Sequence, residues 1–209
     1  VVKESIRNGV SIGAHPGFND LWGFGRRQIY MPAEEIEASV AYQIGALQAI
    51  SGMNNARVTH VKPHGALNNM SSVEPEIADA IARGVNSVDP KLILVAVSGS
   101  FLFTAGHSLG LTVAAEAYAD RSYEDDGNMT SRKYEHAMIT DPKKAADQVR
   151  NIVIDGYIVA NSGKKIPVEA DTICIHGDEP TGPAVAQAVK EMLEDAGIKI
   201  QPLPDLNLV

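Results

Sequence analysis

The stretch HVKPHGALNN, His60 to Asn69, sets the first constraint on the fold. Read as a strand, it places His60, Lys62 and His64 on one face, because side chains alternate with period two. Charged groups buried without partners are costly, so this face does not build an apolar core. A strand apolar on one side and polar on the other, toward its C-terminal end, suits the mouth of a parallel barrel.

The same test applied outward gives the same answer in three more segments. In SIGAHPG, Ser11, Gly13 and His15 share a face, and Ile12 and Ala14 take the other. In VAAEAYADR, Ala114, Glu116, Tyr118 and Asp120 share a face opposite Ala115, Ala117 and Ala119. In TICIHGD, Cys174, His176 and Asp178 lie opposite Ile173 and Ile175. Each strand has one small or apolar face and another that turns polar toward its end. Strands of an open doubly wound sheet are covered on both faces and read as continuous apolar runs. The alternation therefore favours an α/β fold of the parallel β/α barrel kind, with its active groups at the strand ends.

The remaining pattern is a strand–helix alternation. Strands are expected at Val10–His15, Arg57–Pro63, Lys91–Val97, Leu111–Tyr118, Asp171–Gly177 and Ile198–Pro202. Helical spacing of apolar residues predicts helices over Pro32–Ser51, Glu74–Val88, Ser100–Leu109, from Asp141-Pro142 onward, and Thr181–Ala196. Ser122–Glu135 reads as a polar loop, and Tyr157–Glu169 as a hairpin turning at Asn161-Ser162-Gly163. No linker or internal repeat divides the chain, so residues 1–209 are expected to form a single domain. The opening residues read as the last turns of a helix closed by Gly9, and a chain starting inside a helix is expected to be truncated at its N-terminus.

The totals exclude several classes. A formal net charge of −8 argues against a broad nucleic-acid footprint. No apolar run is long enough to span a bilayer and no signal-peptide pattern is present, so a cytoplasmic protein without membrane contact is expected. The single cysteine, Cys174, rules out an intrachain disulfide. No phosphate-binding G-x-x-x-x-G-K-[ST] occurs, and GFGRRQ at Gly23–Gln28 fails as a dinucleotide fingerprint.

Five motifs in order carry a resemblance: GAHPGFNDLWGFGRR (Gly13–Arg27), HVKPHGALNN, EAYADRSY (Glu116–Tyr123), DGNMTSR (Asp126–Arg132) and ICIHGD (Ile173–Asp178). Together they resemble the LamB/YcsF family over essentially the whole chain. Family members begin with segments like DLNCDLGE and NIACGFHAGD, which are absent here, in line with the expected truncation. The family's HGALYN also reads HGALNN, with Asn68 at the tyrosine position. The resemblance implies an incomplete barrel of the glycoside hydrolase/deacetylase type. It implies ATP-dependent opening of the lactam 5-oxo-L-proline to L-glutamate, with ATP (and magnesium) as cosubstrate and two further subunits, B and C, as partners.

Roles follow as expectations. Lys62 and Arg121 would stabilise phosphate or oxyanion charge. Glu116 or Asp120 would position water or the metal carried by ATP. His15, His64 and His176 are candidate proton carriers, with Asp178 orienting His176 or taking part directly. Arg26 and Arg27 would hold a substrate carboxylate or phosphate, with His60 and Asn68 completing the substrate pocket. Two rivals keep the same residues. In a metal-dependent N-acetyl deacetylase, His15, His64, His176 and Asp178 would supply metal ligands; the alternative is a non-catalytic substrate-binding subunit.

Overall fold

Backbone packing divides the chain into two compact units in the computed structural model, which describes residues 1–208. The first holds residues 1–114 and 202–209, and the second 115–201.

The first unit opens with α1 (Val2–Arg7), β1 (Ile12–Ala14), α2 (Ala33–Gly52) and β2 (Val58–Val61). It continues through α3 (Gly65–Val73), α4 (Pro75–Val88), β3 (Ile93–Val97), α5 (Phe101–Ser108) and the start of β4 (Val113–Tyr118). β1 pairs parallel with β2, and β2 with β3. The helical spacing predicted for α2 and α4 is met, because Ile36, Val40 and Ile44 on one and Ile77, Ile81 and Val85 on the other are buried together. They pack with Val58 and Val61 at the two ends of β2 and with Leu94 and Ala96 from alternate positions of β3. The opposite face of β3, Ile93 and Val95, joins Ala114 and is covered by Leu203 and Leu208 of the returning C-terminal segment.

The second unit contains the rest of β4, α6 (Pro142–Val153), β5 (Tyr157–Val159), β6 (Lys165–Pro167), β7 (Thr172–Cys174) and α7 (Gly182–Asp195). β4 pairs parallel with β7, and β5 with β6 antiparallel, as the predicted hairpin requires. Asp141 starts α6 by accepting hydrogen bonds from the backbone N–H groups of Lys143 and Lys144. Ala119, Ile173 and Ile175 pack with Val149 of α6 and with Val185 and Val189 of α7. These are the strand positions that alternation assigned to the helix-covered side.

The strand order is β1-β2-β3-β4-β7, with intervening helices. This is the α/β, parallel strand–helix class read from the sequence. Five such strands among the described residues fall short of the eight of a closed barrel, as an incomplete barrel requires. Two expectations change. Ile198–Pro202 is not a strand; Ile200 is exposed, and a 3-10 turn follows at Leu203–Asp205. The strand in HVKPHGALNN ends at Val61, and the sequence GALNNMSSV is a helix.

Candidate active site

In the first unit the chain leaving β2 runs on beside the chain leaving β1. Lys62 N–H donates to Ala14 O and His64 N–H to Pro16 O, so His15, Lys62 and His64 remain neighbours beyond the formal strand ends. His60 lies one step deeper. Its register partner is Gly13, and a Cβ there would fall 2.2 Å from His60 Nε2. Only glycine leaves room for that ring. His60 Nδ1 bonds Thr59 Oγ1 at 2.9 Å. Burial, reinforced by the nearby Lys62 charge, holds its pKa below the ordinary histidine value.

His15 and His64 form a chain of hydrogen bonds. His15 Nδ1 lies 2.6 Å from Lys62 O, and His64 Nε2 lies 2.6 Å from Phe24 O. Carbonyl oxygens only accept, so both of these nitrogens carry hydrogen. The remaining nitrogens, His64 Nδ1 and His15 Nε2, are 3.0 Å apart, and their bond needs one further proton. The rings meet edge to face, 4.8 Å between centroids, with Phe24 edge-on to His64 on its other side.

The loop between β1 and α2 supplies Phe24. Asp20 is buried within this loop, accepts the Gly23 N–H and pairs with Arg27, whose hydrogen bonds hold the Asp20 carboxyl below its usual range. Arg27 is therefore engaged inside its own loop while most of its side chain stays exposed. Arg26 lays its guanidinium over the Phe24 ring, 5.1 Å from the centroid. Asn68 is buried in α3, where its carbonyl accepts the hydroxyls of Ser71 and Ser72.

The second unit holds a carboxylate–histidine pair. Asp120, just past β4, is 3% exposed. Its carboxylate accepts the His176 backbone N–H at 2.7 Å and the His176 Nδ1–H at 2.9 Å. Burial alone would raise the Asp120 pKa, but the bonds from His176 outweigh it and hold the carboxyl below its ordinary value. Fixing hydrogen on Nδ1 leaves Nε2 as the lone-pair nitrogen of the neutral ring, the arrangement that serves a general base. The Tyr118 ring stacks on His176 at 5.9 Å and 23°. Burial, and then the Glu116 charge, push the Tyr118 hydroxyl pKa well up, and Tyr118 bonds the buried Glu116.

Two assigned roles change on this geometry. Asp120, assigned to water or a metal, bonds His176 and orients it, while Asp178 is exposed. Arg121 is buried and donates from Nε to Ala137 O and from Nη2 to Thr130 O, so its described bonds tie down the following loop instead of facing an anion. Among the described residues no group of three or more His, Cys, Asp or Glu side chains is arranged to hold a metal ion. In the deacetylase rival, the His15 and His64 nitrogens that face each other would have to part before either could serve a metal.

Several contributors were not singled out from the sequence. Gln148 of α6 reaches the carbonyls of Tyr118, Ala119 and Arg121, bracketing Asp120. Tyr123 Oη accepts the Tyr118 N–H at 2.8 Å. Asp20 had a local signal, an Asp three residues before a glycine in a turn and seven before an arginine. Gly13 and Gln148 had none, since their partners lie 47 and 27 to 30 residues away.

A parallel strand–helix chain with a histidine pair at the ends of β1 and β2, and a carboxylate–histidine pair beyond β4 and β7, has acid–base groups where barrel enzymes carry their chemistry. The chain belongs to the LamB/YcsF family, whose profile matches residues 1–208. It is 48% identical over 202 residues to the A subunit of 5-oxoprolinase from Rhodopseudomonas palustris, covering 96% of this chain and 80% of that protein. The A subunit of 5-oxoprolinase from Heliobacterium modesticaldum is 47% identical over 200 residues, covering 96% and 79%. Among solved structures, a lactam utilization protein from Thermus thermophilus superposes with a TM-score of 0.89 at 42% identity, covering 97% of this chain and 81% of that one.

Proposed function

We propose that this chain serves 5-oxoproline utilisation as the A subunit of an ATP-dependent assembly that opens 5-oxo-L-proline to L-glutamate, with subunits B and C as partners. The relatives' names support the substrate and the subunit role. The observation that carries a catalytic part for this chain is the buried Asp120 that fixes the His176 tautomer.

The chemistry asks for such groups. Amide resonance makes the lactam carbonyl a poor electrophile. Transfer of the ATP γ-phosphoryl group to the lactam oxygen releases ADP and activates the ring carbon. Water adds at that carbon and loses a proton. The C–N bond then breaks, the nitrogen takes a proton, and the resulting acyl phosphate yields glutamate and phosphate with a second water. His176 Nε2 takes the proton from water, and the Asp120 carboxylate stabilises the imidazolium that forms. The imidazolium then returns that proton to the departing nitrogen. No membrane span is needed for this role, and no described helix is long and apolar enough to provide one.

The test is glutamate release by the reassembled subunits with ATP. Asp120→Asn keeps the shape but reverses the hydrogen-bond polarity toward His176, and is expected to lower turnover by roughly 100- to 10,000-fold. Near-normal turnover in Asp120→Asn would remove the pair from the mechanism. Glutamate formed by subunits B and C without this chain would remove the proposed subunit role.

A further inference from the structure

The loop that follows β4 carries a guanidinium whose surroundings do not satisfy it. Arg132 and Glu179 pair with side chains only 25% and 28% exposed, yet their contact, Nη1 to Oε1, is 3.4 Å long. A charge-assisted hydrogen bond closes to about 2.7–2.9 Å. A guanidinium has N–H donors on all three nitrogens, and among the described residues this long contact is the one bond Arg132 makes. The loop around it is firmly held. Thr130 is fully buried; its N–H donates to Ser122 O, its carbonyl accepts the Arg121 Nη2–H, and its hydroxyl accepts the Asn161 Nδ2–H. Arg121 is close enough that the Arg132 charge, second to burial, lowers its pKa. Two like charges are thus brought together and partly removed from water, a cost that one distant carboxylate offsets poorly. The same contacts lead to the carboxylate–histidine pair. Asp120 precedes Arg121 and bonds His176, and Glu179 follows shortly after His176 in the chain.

We infer that Arg132 receives the carboxylate of 5-oxoproline, and that Glu179 holds its place until the substrate displaces it. The inference rests on the oxoproline reading above and adds the recognition of the group beside the lactam. Glu179 offers Arg132 the same group that the substrate carries, so the exchange is carboxylate for carboxylate. A substrate carboxylate is not tethered to the neighbouring backbone and can meet the planar guanidinium with two parallel bonds, which the 3.4 Å contact does not do. A nucleotide phosphate fits less well. Asp120 bonds His176, and Asp178 and Glu179 follow His176 in sequence, so a polyphosphate would bring several negative charges in beside these carboxylates, where the substrate brings one. The carboxylate of 5-oxoproline sits on the carbon bonded to the lactam nitrogen. Anchoring it at Arg132, which bonds the segment that follows His176, orients the ring for that base. An arginine already fixed by its loop loses little freedom on binding, which favours affinity.

Steady-state glutamate release by the chain reassembled with subunits B and C separates substrate binding from a structural tie. In Arg132→Gln the KM for 5-oxoproline is expected to rise about 10- to 150-fold, as for the loss of a bond to a charged group, while the KM for ATP stays where it is. Glu179→Gln removes the competing charge, so the KM for 5-oxoproline is expected to fall. The wild type should prefer 5-oxoproline to 5-oxoprolinamide, whose side group is neutral, and Arg132→Gln should lose that preference. A pair that only ties two loops together would make both variants lower the unfolding midpoint and move the KM for 5-oxoproline the same way, or not at all. That outcome overturns the inference, and so does a rise in the KM for ATP alone, which would give Arg132 to a phosphate. If Arg132→Gln does not fold, Glu179→Gln decides: a lowered KM supports the exchange, and an unchanged or raised one overturns it. Wild-type chain that yields no glutamate with both subunits and ATP overturns the oxoproline reading itself, and this inference with it. Normal wild-type turnover with an unmoved KM in Arg132→Gln overturns the inference alone.

Discussion

His60 is the residue whose titration the fold constrains most clearly. It lies against Gly13, where no side chain can intervene, and burial followed by the Lys62 charge lowers its pKa from the ordinary value of 6.5. A histidine with a depressed folded pKa binds its proton more readily when unfolded. The stability it contributes is therefore complete above pH 6.5 and is lost as pH falls through the lower folded value. The urea midpoint of the wild type is expected to decline on acidification from pH 7 to 5, and His60→Gln, which cannot titrate, to flatten that decline. Parallel slopes for the two proteins would show that His60 is not the group responsible. Alternation alone put His60, Lys62 and His64 on one face. It could not show that His64 bonds His15, because which strand lies beside which, and in what register, is not written in either segment.

At the scale of the element, legibility followed side-chain spacing. The long helices α2, α4, α6 and α7 were found because each repeats apolar residues over three or more turns, with Pro or Asp at the start and Gly or Asp-Pro at the end. Helix α3 was missed because it is short and begins at Gly65, whose φ of 57° reads in sequence as a turn. The false strand at Ile198–Pro202 has the alternation of a strand, but pairing needs a neighbour, and the described residues give it none. The end of β4 shows what sequence spacing misses. One amide group, with two hydrogens, reaches three carbonyls there: Gln148 Nε2 lies 2.7 Å from Tyr118 O, 3.2 Å from Ala119 O and 2.9 Å from Arg121 O. At least one of these bonds is shared. Gln148→Ala leaves buried carbonyls without that donor and is expected to destabilise the chain by about 1–3 kcal/mol. Amide exchange should accelerate at residues 118–121 first, and an unchanged exchange rate there would show that Gln148 is not what holds the strand end.

The whole molecule is ordered by where its chain crosses between units. The path leaves the first unit within β4, after Ala114, and returns to it at Pro202. The last residues therefore belong to the packing of β3, far back in sequence. Leu203 and Leu208 lie against Ile93, Val95 and Ala114, the strand face that α2 and α4 do not cover. Nothing in the sequence NLV at the terminus signals this, because apolar residues at a chain end look the same whether they dock or fray. Truncation from Pro202 onward would uncover Ile93 and Val95 and remove two half-buried leucines, each contributing about 1–2 kcal/mol. Exchange protection should fall at the β2 and β3 amides, whose strands carry His60 and lead to Lys62. The α6 and α7 amides, which pack on Ala119, Ile173 and Ile175, should keep theirs. Equal losses in both sets would mean that the C-terminal segment supports the chain as a single cooperative body; loss confined to β2 and β3 would assign it to the first unit, where its leucines lie.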